Sequence, residues 1–298
     1  MATAKLLTGA LTALVTPFNA DGSIDEAAYK ALVDWQITEG IDGLVPCGST
    51  GEAATMSLEE RVRVARLCVD ATAGRVPVMA GAGGNDTAVA IATSKAMAAT
   101  GATHLLHVSP AYSKPPQRGI IAHFRAIADA APLPIIVYNV PGRTASNLEA
   151  ETTLALAEHP NIVAVKEASG NLAQMSEIIR HRPKHFAVIC GDDPLTLGLI
   201  AAGGQGIISV VSNAAPKATA ELTRRALAGD YTKAQELHLA LTPLFAAAFV
   251  ESNPMPIKAA LAMMGRITNV LRLPLVPMDE KHNAHLKAAL VAAGAMPA

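Results

Sequence analysis

Aromatic side chains are scarce in this sequence, at 3% of 298 residues with a single tryptophan. That leaves little for stacking on bases. Charge is scarce too, at 16%, and nearly balanced at a formal net charge of -1, with no run of Lys or Arg. A nucleic-acid partner or an acidic membrane surface is therefore not expected. Cysteine is limited to Cys47, Cys68 and Cys190, an odd number without a C-x-x-C pair. This argues against a disulfide framework and a zinc site and suits a reducing cytoplasm. No apolar run reaches the ~18 residues of a membrane span. The first stretch, MATAKLLTGALTALVTPF, is mildly apolar, but its basic part is Lys5 alone and Thr8, Gly9, Thr12 and Thr16 interrupt it. It reads as an internal strand rather than a signal peptide.

What is present is a regular alternation of short apolar runs with helical patterns. The runs are Leu11–Thr16, Gly43–Val45, Val76–Ala80, His104–Val108, Ile135–Tyr138, Ile162–Val165, Ala187–Cys190 and Gly206–Val211. They are apolar on both faces, as buried parallel strands are. Between them, Ser57 with Glu60 predicts a capping box, followed by Leu58, Val62, Ala65 and Val69 on one face. Ser23 with Glu26 predicts a similar start for the first helix, and Leu172, Met175 and Ile179 an apolar stripe after the sixth strand. Eight strand–helix units predict an α/β fold, a (β/α)8 TIM barrel over residues 1–213. Residues 214–298 then hold the last barrel helix and a helical C-terminal extension, clearest at Tyr231–Val250 and Pro256–Gly265. A doubly wound sheet would want a glycine fingerprint after the first strand, where Val15-Thr16-Pro17-Phe18 has none.

In a barrel, chemistry sits where strands end at their C-terminal rim. Lys166 follows Ile162-Val163-Ala164-Val165, so its amine points over an apolar mouth. It either snorkels to solvent or pairs with Glu167, or it is a nucleophile whose pKa burial depresses. Tyr138 ends the neighbouring strand and is either a rim aromatic or a proton relay. Gly48-Ser49-Thr50-Gly51-Glu52 is either an ordinary turn or a loop whose amides and hydroxyls meet a carboxylate. The glycines of Gly81-Ala82-Gly83-Gly84 are read as serving close packing. Arg143 is either a surface arginine or a bidentate clamp for a carboxylate. Asp192 and Asp193 lack a further ligand at metal spacing and are read as helix caps.

Taken in order, GSTGE at 48–52, SPAYSKP at 109–115, YNVPGRT at 138–144, VKEASGN at 165–171, GDD at 191–193, GIISV at 206–210 and ESNPMPIKAAL at 251–261 resemble the dihydrodipicolinate synthase / N-acetylneuraminate lyase family of class I pyruvate aldolases. The resemblance runs from about Gly9 to Pro277. It implies that Lys166 forms an imine with pyruvate, that Ser49 and Thr50 hold the pyruvate carboxylate, and that Tyr138 shuttles protons through Thr50 to Tyr112. It further implies that Tyr112 reaches in from a neighbouring subunit of a dimer of dimers, and that main-chain atoms of Gly191 and Ile208 shape the pocket. No metal or organic cofactor is implied. Arg143 and the GDD motif point to the synthase branch, in which the enamine attacks aspartate 4-semialdehyde and the product feeds lysine and diaminopimelate synthesis. A sugar-acid aldolase of the same family is the alternative, and a non-catalytic pyruvate-binding module a remoter one. Lysine-inhibited members place an aromatic residue and a glutamate where this chain has Ala111 and Val89, and often histidines where it has Leu58 and Arg61. Feedback inhibition by lysine is therefore expected to be weak or absent.

Overall fold

The computed structural model describes residues 6–297, and Lys5 lies outside them. Eight strands form one parallel sheet: β1 (Gly9–Ala13), β2 (Gly43–Val45), β3 (Met79–Gly81), β4 (His104–Val108), β5 (Ile135–Asn139), β6 (Ile162–Glu167), β7 (Ala187–Cys190) and β8 (Gly206–Ser209). Their order is β2-β1-β8-β7-β6-β5-β4-β3, and a parallel bridge between Leu44 and Val78 joins the two edges. The sheet is thus an almost closed barrel with helices between the strands. Among the described residues no helix is long and apolar enough to cross a membrane.

Alternation along the strands makes two apolar layers. Leu11, Ala13, Val45, Met79, Leu106, Ile136, Ala164, Ile189 and Ile208 fill the barrel. Ala10, Leu44, Ile135, Val137, Val165, Val188 and Ile207 face the surrounding helices. The helices of the C-terminal extension, Tyr231–Ala247, Met255–Met263 and Asn283–Ala292, gather Leu241, Leu244, Phe245, Ile257, Leu286 and Leu290 against Val15, Val210 and Val211. The extension therefore packs on the rim where β8 ends.

Several boundaries differ from those the sequence predicts. β1 starts two residues earlier and gives way before Val15, whose amide donates to the Asn213 side chain instead of a strand. β3 excludes Pro77, which cannot donate to a ladder, and gains Gly81, whose amide donates to the Pro46 carbonyl. β8 stops at Ser209 because the Val210 backbone turns helical and its amide goes to Asp193.

The capping box at Ser57 forms in both directions, but the helix Leu58–Thr72 buries Val64, Ala65, Cys68 and Thr72, leaving Leu58 exposed. The expected stripe lies at the margin of the true buried face. Likewise helix Leu172–His181 buries Met175 and Ile178 rather than Leu172. Val64, Met175 and Ile178, each fully buried, contribute roughly 1.5–3 kcal/mol apiece. The first helix is capped by Asp25, which accepts from Ala28, while Ser23 bonds to Asp21.

Candidate active site

β5 and β6 pair so that Tyr138 lies beside Lys166, both side chains turned into the barrel mouth. The Lys166 ammonium sits 4.3 Å from the centre of the Tyr138 ring, and the lysine is 5% exposed. Burial pulls its pKa down from 10.5 to about 8; the Asp193 carboxylate works against that pull and the Arg143 guanidinium with it. Burial likewise pushes the Tyr138 phenol up to about 12, so it stays protonated at neutral pH. The neighbour once open as a partner for Lys166 points elsewhere. Glu167 faces outward and accepts from Asn139, Gln174 and the Ser169 amide. Among the described residues no hydrogen bond or ion pair reaches the Lys166 amine.

Gly191 makes room for this lysine. A Cβ there would lie 3.0 Å from both Cγ and Cε of Lys166 and 2.9 Å from the Ala168 Cβ. At Gly81 and Gly83 a Cβ would run into the Cys47 carbonyl and the Val108 amide, so those glycines do serve close packing.

The turn after β2 carries Ser49 and Thr50 between two non-glycine residues with left-handed backbones, Cys47 at φ 58° and Glu52 at φ 55°. Such residues persist only where the surroundings fix them. Thr50 is buried, and its hydroxyl accepts from the Asn253 side chain at 2.8 Å. Asn253 also receives Arg143, whose guanidinium donates to the Asn253 carbonyl at 3.1 Å. One residue of the C-terminal extension thus links the β2 turn to the loop after β5.

These groups surround a cavity of about 150 Å³ lined by Ser49, Thr50, Tyr138, Arg143, Lys166 and Gly191, with Asp192, Val210 and Asn253 beside them. Outside it lies a vestibule of about 540 Å³, reached past Ser49, Tyr138, Arg143 and Asn253 and bounded by Arg61, Ala111 and Leu275. Ile208 lies in the barrel interior with Leu11 and Ile189, and Val210 lines the cavity in its stead. Tyr112 is 93% exposed, has φ 69°, and lines neither space of its own chain.

Two residues that matter here were not read correctly from the sequence. Asn253 had no role assigned. Asp193 is not a helix cap: buried, it accepts from the Ser209 hydroxyl at 2.5 Å and the Val210 amide at 3.0 Å, tying the end of β7 to β8. Burial raises its pKa, while those donors and the Lys166 cation counteract the rise. The acidic GDD run was the only sequence signal for it. Among the described residues no group of three or more His, Cys, Asp or Glu gathers as a metal site.

A model of the dihydrodipicolinate synthetase family matches residues 6–293. The 4-hydroxy-tetrahydrodipicolinate synthase of Maridesulfovibrio salexigens is 51% identical over 287 residues, covering 96% of this chain and 98% of the relative. That of Koribacter versatilis is 50% identical over 291 residues, 97% of each chain. A crystal structure of the chloride-inhibited dihydrodipicolinate synthase of Acinetobacter baumannii, complexed with pyruvate, superposes with a TM-score of 0.95 at 41% identity, covering 97% of this chain and 99% of that one. Barrel, rim residues and sequence agree in one assignment: the chain belongs to the dihydrodipicolinate synthetase family.

Proposed function

We propose that the protein catalyses the 4-hydroxy-tetrahydrodipicolinate synthase reaction, condensing pyruvate with L-aspartate 4-semialdehyde through an imine on Lys166. The observation that carries this reading is the buried amine of Lys166 with its pKa lowered to about 8, facing Tyr138 in a small chamber at the barrel mouth. At that pKa about one amine in ten is neutral at pH 7, against about one in a few thousand for an ordinary lysine.

The neutral amine attacks the keto carbon of pyruvate, and the carbinolamine loses water to give the imine. Tyr138, protonated and adjacent, donates the proton that the departing hydroxyl needs. Ser49 and Thr50 receive the pyruvate carboxylate. Because Asn253 donates to the Thr50 oxygen, the Thr50 proton is free to point into the cavity. The imine then acts as the electron sink: loss of a methyl proton gives an enamine, whose carbon attacks the aldehyde. The ring nitrogen of a tetrahydrodipicolinate derives from the amine of the amino aldehyde, so that amine displaces Lys166 and frees the enzyme. No metal or organic cofactor enters these steps.

The vestibule suits the second substrate, and Arg143, held at its edge by the Asn253 carbonyl, is placed to receive the aldehyde's carboxylate. Gly191 gives Lys166 its space. Val210, two residues beyond Ile208, lines the cavity beside them. The exposed Tyr112 side chain is fitted to reach a neighbouring subunit's site and complete its proton path, which makes a dimer the working unit; the family resemblance implies a dimer of dimers. Ala111 and Val89 offer a lysine effector neither an aromatic wall nor a carboxylate, so this reading includes insensitivity to lysine.

The test is to incubate the protein with pyruvate, reduce with borohydride and map the modified peptide. The expected result is a reduced pyruvyl adduct on Lys166, followed by turnover with aspartate semialdehyde and none with sialic acid. No adduct, or an adduct on another lysine, overturns the mechanism. An adduct together with sialic-acid cleavage overturns the choice of substrate.

A further inference from the structure

A second buried lysine stands beside the site without any part in the chemistry above. Lys258, on helix Met255–Met263, donates to Glu52 at 2.5 Å and to the Thr16 carbonyl at 2.9 Å, and its ammonium lies 4.4 Å from the centre of the Phe18 ring. The other Glu52 oxygen accepts from the Arg272 amide at 3.1 Å. Both side chains of the pair are 0% exposed. An apolar pair of similar volume would serve stability as well or better, because taking two charges out of water is unfavourable. What an apolar pair cannot supply is direction, and here the direction is toward the Ser49-Thr50 turn.

Three consecutive residues of that turn are fastened separately. Thr50 is held by Asn253, the Gly51 carbonyl accepts from the Thr16 hydroxyl at 2.8 Å, and Glu52 is held by Lys258. Lys258 also holds Thr16, so two of the fasteners share one cation. Glu52 itself has the left-handed backbone that bends the chain there, a conformation unfavourable for a non-glycine residue unless something outside the turn fixes it. The ion pair is that fixture.

We propose that Glu52 and Lys258 are positioning residues, an ion pair that holds the Ser49-Thr50 turn at the place where it receives the carboxylate of the keto-acid substrate. This rests on the pyruvate reading of the site and assigns a role to two side chains that touch no substrate. Loss of either charge leaves the other buried without its partner, and the turn moves to relieve it.

The experiment compares Lys258→Met, Glu52→Gln and the double variant E52Q/K258M by steady-state kinetics, borohydride trapping across pyruvate concentrations, and melting temperature. Each single variant is expected to raise KM for pyruvate by about tenfold or more while kcat at saturating pyruvate falls by less than about threefold, the split that marks lost substrate binding rather than lost chemistry. The double variant, with no unpaired charge, is expected to melt at or above the wild-type temperature yet keep the raised KM. It also answers the question if a single variant fails to fold. Variants that melt lower but bind pyruvate within about twofold of wild type would reduce the pair to a structural role and overturn the proposal. Wild-type protein that forms no pyruvate imine would overturn the functional reading beneath it instead.

Discussion

Lys166 should be a burden on the fold that carries it, and replacing it with methionine measures that burden. Its pKa is about 8 in the folded protein against 10.5 when free. The unfolded chain therefore binds more protons on this side chain between those two values, and stability rises with pH across that window. Below about pH 8 the difference is constant, and at 1.36 kcal/mol for each pH unit it amounts to about 3 kcal/mol of destabilisation at neutral pH. Methionine has a similar length and no charge. Asp193, which loses a cation, keeps its bonds from Ser209 and Val210. Lys166→Met should thus stabilise the protein by up to about 3 kcal/mol at pH 7, a gain of about 5 °C in melting temperature for a chain of this size. The assay is thermal or urea unfolding of both proteins at several pH values. The sign is the discriminating feature, since the gain must shrink by roughly half by pH 9.5, where the wild-type lysine is already mostly neutral when folded. A methionine variant no more stable than wild type, or one whose gain is the same at pH 7 and pH 9.5, would refute the argument that burial sets the readiness of this amine.

Imine formation at limiting pyruvate should rise about tenfold per pH unit below pH 8 and level off above it, as trapping rates would record; a midpoint near 10.5 would mean an ordinary lysine. Gly191→Ala should lower kcat by about tenfold or more with little change in melting temperature, because the added methyl group meets the Lys166 stem and the half-buried Ala168 methyl at the rim. Arg143→Ala should raise KM for aspartate semialdehyde by about 10–100-fold and leave pyruvate trapping within a few-fold of wild type, the loss of a charge-assisted hydrogen bond to one substrate only. L-lysine up to millimolar concentration should leave the initial rate unchanged, and strong inhibition below about 1 mM, an affinity of about 4 kcal/mol or better, would sink that expectation.

Much of this was legible from short stretches of sequence. A parallel strand buried on both faces must be a continuous apolar run, so Ile135–Tyr138 and Ile162–Val165 announced themselves. Because strands alternate, the same runs fixed that Tyr138 and Lys166 share the rim. The extensions beyond those runs, Asn139 on β5 and Lys166-Glu167 on β6, were not legible as strand. These residues are polar, and the outward side chains of Asn139 and Glu167 are satisfied by each other and by Leu148, Ser169 and Gln174. The Ser57 cap was legible because both partners sit three residues apart. Ser23 misled for the same reason: Asp25 and Ser23 are equally good caps, and local spacing does not decide between them. Asn253 with Thr50, and Lys258 with Glu52, are joined across 203 and 206 positions of chain. No periodicity spans such distances, so these contacts appear only when the barrel brings them together. Asp193 was misread because its donors, Ser209 at the end of the next strand and Val210 just past it, are 16 and 17 positions away.

That separation has a consequence for synthesis. A ribosome makes the chain from the amino end, so all eight strands and the lysine nucleophile exist before Asn253, Lys258 and Arg272 have left the exit tunnel. Until then the Ser49-Thr50 turn is held by Thr16 alone among its three fasteners, and Arg143 lacks its carbonyl acceptor. A nascent barrel should therefore bind keto acids more weakly than the finished chain, and gain its full grip on them when the final helices dock. A chain cut short near residue 250 would likewise keep its nucleophile while losing the parts that aim a substrate at it.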